Sequence, residues 1–131
     1  MYKGRVNQDT SVLANTNIPF ATVWNTNSNT TPDTTNNNVA LNKTGYYDVY
    51  AVIQLTDVIS TPVEVNIVAD GVVVGNAQAD VTANTGIITL TIVDTVRVAV
   101  APFSDRATIS VQVDVASTVL TGSKFLIESR K

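Results

Sequence analysis

The sequence contains neither cysteine nor histidine. Without cysteine the chain cannot form disulfides, bind zinc through thiolates or use a thiol nucleophile. Without histidine it lacks the usual zinc ligand, the commonest general base near neutral pH and the central member of a Ser-His-Asp triad. The two absences together exclude the hydrolytic and zinc-dependent mechanisms that need these side chains.

Charged residues are also scarce. Only 15% of the 131 residues are charged, and eight Lys and Arg against eleven Asp and Glu give a net charge of −3. The sequence contains no basic run, so we expect no nucleic-acid partner. It has no run of about 18 apolar residues for a membrane span, and residues 1–12 lack a signal-peptide pattern, so we expect no membrane partner.

The remaining candidates for chemistry are carboxylates scattered along the chain. Asp70 and Asp94 lie at predicted turns, and Glu64 and Asp114 lie on predicted solvent-facing sides of strands. A glycosidase needs two carboxylates at a fixed separation, and nothing in the sequence places a pair in that way. The calcium loop, the Gly-rich phosphate loop and the nucleophile elbow are absent. We therefore expect no enzyme activity, no catalytic residues, no cofactor and no metal.

Valine, threonine, asparagine and isoleucine are abundant, which favours strands and turns over helices. The longest strand-like run is GYYDVYAVIQL, residues 45–55. Its alternation predicts a core-facing side that consists of Tyr47, Val49, Ala51, Ile53 and Leu55. The opposite side is mixed and consists of Tyr46, Asp48, Tyr50, Val52 and Gln54. A half-apolar outer side indicates that the sheet is partly covered there, and a second copy of the chain could supply the cover.

Further strand-like segments follow, each bounded by turn residues. They predict an all-β fold of about nine or ten strands, a two-sheet sandwich or jelly roll, in which residues 1–131 form a single domain. Residues 87–93 and 95–101 are predicted as two strands separated by Asp94. Residues 25–38, rich in Asn and Thr, are predicted as a long surface loop. Trp24 is predicted to lie in the core, because large aromatic side chains are mostly buried.

Three short motifs occur in a fixed order along the chain. The first motif is the segment IPFATVWNT followed, after a polar loop, by Gly45, Tyr47 and Val49. The second consists of Leu90, Asp94 and Val96. The third consists of Ser123, Phe125 and Leu126. This order resembles that of the tumour-necrosis-factor-like (TNF-like) jelly rolls, which include the globular heads of complement and collagen-like proteins. Val49 stands where the family usually has an aromatic residue, and Val93 and Lys124 stand where it usually has glycine.

The resemblance implies a compact homotrimer. In such proteins the strands equivalent to residues 45–55, to residues 95–101 and to the last strand form the sheet around the threefold axis. The implied trimer interface consists of Tyr46, Tyr50, Val52, Arg97 and Ala99. The alternative for the tyrosines is a half-exposed sheet face on a monomer. Arg97 is either an interchain ion-pair partner of Asp48 or Glu128 or a solvated strand charge.

The small, cysteine-free, Asn/Thr/Val-rich form resembles jelly rolls of phage and prophage virion proteins. That resemblance implies a structural protein on the particle exterior, a head-fibre or capsid-decoration knob, with residues 1–17 as the segment that attaches to other virion proteins. One alternative is the receptor-binding tip of a tail or baseplate that recognises host surface carbohydrate, with Trp24 and Tyr2 as candidate aromatic contacts. Another is a bacterial surface or spore-coat trimer, located on the cell surface.

Overall fold

A computed structural model describes residues 1–26, 29–58, 62–79, 86–98 and 107–130. These residues form twelve strands and no helix, which confirms the all-β prediction and exceeds the nine or ten strands expected. In chain order the strands are β1 (Tyr2–Arg5), β2 (Thr10–Val12), β3 (Ala21–Asn25), β4 (Thr30–Asp33), β5 (Asn38–Leu41), β6 (Gly45–Thr56), β7 (Val63–Ala69), β8 (Val72–Ala79), β9 (Ile88–Val98), β10 (Ala107–Val113), β11 (Ser117–Val119) and β12 (Lys124–Ser129).

Seven strands form the first sheet, with β6 at its centre. One side of β6 pairs with β9, from Gly45 opposite Val98 to Leu55 opposite Ile88. The other side pairs with β12 and, farther along, with β11. The sheet continues from β12 through β1 to β3, and from β11 to β2. Within the described residues, β9 and β3 are therefore opposite edges of the first sheet.

The second sheet has five strands in the order β4-β5-β10-β7-β8. Asp70 and Gly71 both have positive φ and close the β7–β8 hairpin, as a tight turn of the primed type requires. Gly75 of β8 lies against the carboxylate of Asp94 in β9, so the free edges of the two sheets run side by side. The edges of β8 and β9 therefore meet on one side of the sandwich, and on the opposite side Asn25 of edge strand β3 bonds to Thr30 of edge strand β4.

The predicted alternation of β6 is confirmed. Tyr47, Val49, Ala51, Ile53 and Leu55 face the space between the sheets and are at most 1% exposed. The Tyr47 hydroxyl donates a hydrogen bond to the Lys43 carbonyl at 2.7 Å and accepts one from the Lys43 amide at 3.2 Å, so the buried phenol has polar partners.

Three aromatic residues form the centre of the core at the β1–β12 pair. Phe125 contacts Tyr2 edge-to-face, with ring centroids 6.2 Å apart, and its ring lies 5.7 Å from that of Phe20. Burial raises the pKa of Tyr2 to about 12, against the opposing effect of a hydrogen bond with Thr22. Tyr2 is therefore a core residue, and its proposed role as an exposed aromatic contact is wrong.

The predicted loop at residues 25–38 contains a strand, β4, so the prediction of a continuous loop is wrong. Thr30 is buried and exchanges two hydrogen bonds with Asn25, which anchors the polar segment without large apolar side chains. Pro32 is compatible with the strand because β4 is an edge strand, where a missing amide donor costs no ladder hydrogen bond.

The prediction of two strands separated by Asp94 is also wrong. Residues 88–98 form one continuous strand, β9, in which Asp94 lies opposite Val49 of β6. An edge strand tolerates this carboxylate because it remains exposed, and its Oδ1 accepts a hydrogen bond from the Thr95 amide. The rest of the predicted second strand, residues 99–101, lies outside the described residues.

The predicted attachment segment, residues 1–17, supplies two strands of the first sheet. β1 pairs with both β12 and β3, and β2 pairs with β11. Leu13, which follows β2, is 72% exposed. The attachment role stays a prediction, and the exposed residues around Leu13 are the part of the segment that a neighbouring protein could contact.

Stability is expected to fall on acidification partly through Asp9. Hydrogen bonds from the amide and hydroxyl of Thr121 hold the pKa of Asp9 below its ordinary value of 3.8. Because the folded-state pKa is depressed, this contribution is complete above about pH 5 and is lost as the pH falls through the folded value.

Thermal unfolding measured between about pH 5 and pH 2.5 checks this expectation. Asp9→Asn keeps an acceptor for Thr121 but cannot titrate, so its melting temperature should depend less on pH than that of the wild type. Identical pH profiles for the two proteins would contradict the role assigned to Asp9.

Candidate functional site

The outer face of the first sheet is the candidate functional site. Strand register places one residue from each of five neighbouring strands in a single lateral row, which consists of Trp24, Lys3, Leu126, Tyr50 and Val93. Four of these five side chains are largely apolar. Trp24 is 43%, Tyr50 37% and Val93 73% exposed, and Leu126 is half-buried. Leu126, Tyr50 and Val93 are therefore contiguous apolar neighbours on a face that points away from the core, and Lys3 separates them from Trp24.

Cationic side chains lie over the exposed aromatic rings of this face. The Lys3 ammonium is 4.9 Å from the centroid of the Trp24 ring, and that of Lys124 is 6.0 Å from the Tyr50 ring. The guanidinium carbons of Arg97 and Arg130 are each 5.9 Å from the Tyr46 ring. Such contacts contribute about 0.5–1 kcal/mol each at exposed sites, so they orient the rings without burying them.

Asp48 is the acidic centre of the same face. It forms the single ion pair of the described part of the chain, with Arg130, and accepts a hydrogen bond from the Thr95 hydroxyl at 3.0 Å. Hydrogen bonds from Arg130 and Thr95, followed by the charge of Arg130, hold the pKa of Asp48 below its ordinary value. Within one chain the partner of Asp48 is therefore Arg130, while Arg97 lies over Tyr46; an interchain pair for Arg97 stays a prediction.

The structure brings together four of the five residues predicted for the trimer interface. Tyr46, Tyr50 and Val52 point outward from β6, and Arg97 lies directly opposite Tyr46 on β9. Ala99 lies outside the described residues. The four share one outer face, and their role at an interface stays a prediction.

Sequence reasoning did not assign Val93, Leu126 or Lys3 to this face. Extending the alternation of Val96 and Val98 backward through Asp94 would have placed Val93 on the outer face. The buried residues of β9 are then all even-numbered, and Val93 is odd-numbered. No comparable signal identifies the row as a whole, since it depends on the register between strands distant in sequence.

The prediction that Trp24 lies in the core is wrong. Tyr2 and Gly4 face the core, so Lys3 between them points outward, and Trp24 pairs with Lys3 across the β1–β3 ladder. A side chain cannot replace the hydrogen at Gly4 without displacing the core, because its Cβ would lie 2.8 Å from that of Phe20. The register of β1 therefore fixes Trp24 on the outer face.

Neither a metal site nor a membrane-spanning helix is found in the described ranges. No group of three or more Asp or Glu side chains is positioned to hold an ion. None of the elements is a helix long and apolar enough to cross a bilayer. Several carboxylates have structural hydrogen bonds instead: Asp33 accepts from Thr35 and Asn36, and Glu64 from Asn76 and Gln78.

The fold matches solved structures over nearly the whole chain. Murine APRIL at pH 5.0 superposes with a TM-score of 0.74 at 11% identity, covering 98% of both chains. Eiger TNF from S. frugiperda gives a TM-score of 0.75 at 10% identity, with 98% of this chain and 92% of that chain covered. Rabbit GITRL gives a TM-score of 0.60 at 12% identity, covering 100% of this chain and 95% of that one.

No family model matches the sequence, and a search of curated proteins finds no match. The likeness is therefore one of structure alone. The chain has the TNF-like jelly-roll fold, as the order of its short motifs predicts.

Proposed function

We propose that this chain is a non-enzymatic structural protein that assembles as a homotrimer on the exterior of a phage particle, as a head-fibre or capsid-decoration knob. The observation that carries the proposal is the lateral row on the outer face of the first sheet, in which Tyr50 and Val93 remain exposed beside Leu126. A contiguous apolar patch on a soluble domain marks an interaction surface.

Exposed apolar side chains on the side at which the free edges of β8 and β9 meet also support self-association. Val72 and Val73 lie next to the β7–β8 turn at one end of this side, and Ile87 lies just before β9 at the other end. An edge of one copy packed on the face of the next is a heterologous contact, and three such contacts close into a ring. A stable contact of this kind covers about 800 Å² on each partner. A homotrimer is also the usual assembly of proteins with this fold. In such a trimer the first sheet of each copy would face the threefold axis.

Composition supports a structural role on a virion. The chain has no cysteine, few charged residues and many turn residues, features suited to a rigid exterior module that needs no redox environment. Other virion proteins would contact the exposed part of residues 1–17, where Leu13 projects from the surface. No catalytic arrangement is needed for this role.

Purified particles from the source culture provide the test. Mass spectrometry of gradient-purified particles should detect the chain in stoichiometric amount, and antibodies against it should label intact particles in electron micrographs. Detection in the bacterial envelope and not in particles would contradict the virion role and favour a cell-surface trimer.

Trp24 supports a second candidate, the receptor-binding tip that recognises host surface carbohydrate. Its indole is exposed and is held by the Lys3 ammonium, an arrangement of ring and cation that suits a sugar carrying an acidic group. The purified protein should then bind glycans on an array, and Trp24→Ala should abolish that binding while Trp24→Phe retains part of it. An array without signal for the wild type would contradict this candidate.

A further inference from the structure

The outer face of the first sheet concentrates the positive charge of an acidic protein. Five of the eight cationic residues lie on this face: Lys3, Arg5, Arg97, Lys124 and Arg130. Within the described residues, the carboxylates of Asp48 and Glu128 also lie on this face, and that of Asp57 accepts a hydrogen bond from Thr118 at its β11 end. The described residues of this face therefore carry about two net positive charges, although the chain as a whole carries −3. The basic residues are dispersed in sequence, which is why no basic run is visible there.

Three of these cations form a basic cluster, which consists of Lys3, Arg5 and Lys124. Arg5 and Lys124 are direct cross-strand partners on β1 and β12, and Lys3 is the next outward residue of β1. None of the three has an ion-pair partner in the part of the chain that the structure describes. Like charges directly opposite one another on neighbouring strands are destabilising.

The acidic pair on the same face, unlike the basic cluster, has a counter-charge in the described part of the chain. Asp48 and Glu128 are also direct cross-strand partners, but Arg130 pairs with Asp48 and Thr95 donates a hydrogen bond to it. Within the described residues, the chain thus supplies a counter-charge to the acidic pair and none to the basic cluster. A carboxylate from outside the chain would remove this imbalance.

The side at which β8 and β9 meet has the complementary charge. The described parts of β7, β8, β9 and the β7–β8 turn carry three carboxylates, those of Glu64, Asp70 and Asp94, and one cation, Arg97. Glu64 accepts hydrogen bonds from Gln78 and Asn76, and Asp70 from Thr108 at the hairpin end. Asp94 is exposed at the middle of the edge, bonds only to the neighbouring Thr95 amide and has no cation beside it in the described ranges.

Asp94 also lies at nearly the same position along the strand direction as Lys3. It directly follows Val93, which belongs to the same lateral row as Tyr50 and Lys3. One residue along a strand is about 3.3 Å, so Asp94 lies within about 3 Å of the level of Lys3. If the threefold axis is parallel to the strands, rotation about it does not change a residue's position along the strand direction. Residues at similar positions in neighbouring copies can then meet.

We propose that Asp94 of one copy pairs with Lys3 of the neighbouring copy, within the positive field of Arg5 and Lys124, so that opposite charges determine how the edge of one copy docks on the face of the next. The inference rests on the homotrimer proposed above and names the contact that orients it. Complementary charge contributes specificity and register to an interface as well as affinity.

A double-mutant cycle tests the pairing. Asp94→Asn removes the carboxylate charge with little change in shape, and Lys3→Met keeps an apolar stem on Trp24 without the ammonium. Each single variant should raise the concentration at which half of the protein is trimeric by about tenfold, and the double variant should raise it no further than the larger single effect. Asp94→Lys combined with Lys3→Glu should associate more tightly than either reversal alone.

Charge-matched controls and salt define the outcome. Lys43→Asn removes one positive charge in the β5–β6 connection and should leave association unchanged. Raising NaCl from 0.05 to 0.5 M should weaken the wild-type trimer more than it weakens the trimer of the double variant. A wild-type trimer whose single variants are silent, or whose effects simply add, would overturn the pairing and leave the trimer standing. A monomeric wild type would overturn both.

Heparin serves as a polyanionic probe of the basic cluster. In the trimer the cluster is covered by the neighbouring edge, so heparin should not bind at 0.15 M NaCl. Binding by the trimer that is lost in Lys3→Met would show that the cluster is open to a soluble anion, and would overturn the proposed pairing.

Discussion

Tyr50→Ala is expected to dissociate the trimer at concentrations where the wild type is assembled. Tyr50 lies in the middle of the apolar row, between Leu126 and Val93, and its ring is exposed in the single chain. Truncation of a tyrosine at the centre of an interface costs about 2 kcal/mol or more. The loss occurs at each of three contacts, so the half-assembly concentration should rise roughly a hundredfold.

Sedimentation equilibrium over a range of concentrations measures this shift. Tyr50→Phe keeps the ring and should assemble much like the wild type, which separates the contribution of the ring from that of the hydroxyl. Because the side chain does not enter the core, the far-UV spectrum of Tyr50→Ala should stay that of the wild type. Undiminished association of Tyr50→Ala would place the interface elsewhere on the molecule.

Phe125→Ala is expected to lower the free energy of unfolding by about 3–5 kcal/mol. Phe125 is 1% exposed and its ring contacts those of Tyr2 and Phe20, so truncation leaves a cavity between the two sheets. The surrounding strands are hydrogen-bonded on both sides of β12 and cannot collapse into that space. A loss of this size is a large share of the stability of a small domain.

Urea unfolding at a protein concentration below that of trimer assembly gives the comparison, because Leu126 also belongs to the row proposed to lie at the trimer contact. Leu126→Ala, the next residue of β12, faces outward and is half-buried, so its effect on unfolding should be clearly smaller. Equal losses in the free energy of unfolding for the two variants would contradict the description of Phe125 as a core residue and Leu126 as an outward-facing one.

Local periodicity predicted the core side of β6 completely, because alternate residues of a strand point to opposite sides whatever the strand pairs with. The same reasoning failed at Asp94, where a residue typical of turns lies inside an edge strand and stays exposed there. It also failed at residues 25–38, where hydrogen bonds between Thr30 and Asn25 replace the apolar anchors that a strand usually has.

The candidate site was only partly predictable for a different reason. Tyr46, Tyr50 and Val52 belong to one strand, so their shared face follows from the sequence alone. The row that joins Tyr50 to Lys3 and Trp24 requires the register of three further ladders between strands distant in the chain. The positive charge of the face arises in the same way, from residues that meet only after the sheet forms.

The mass of the protein in solution tests the central claim most directly. Light scattering behind a sizing column, at micromolar concentration and about 0.15 M salt, should give three times the chain mass of 13.9 kDa. That result would agree with an outer face that is covered by neighbouring copies. A mass of one chain at every accessible concentration would contradict the homotrimer and leave the exposed row around Trp24 and Tyr50 as a binding surface for another molecule.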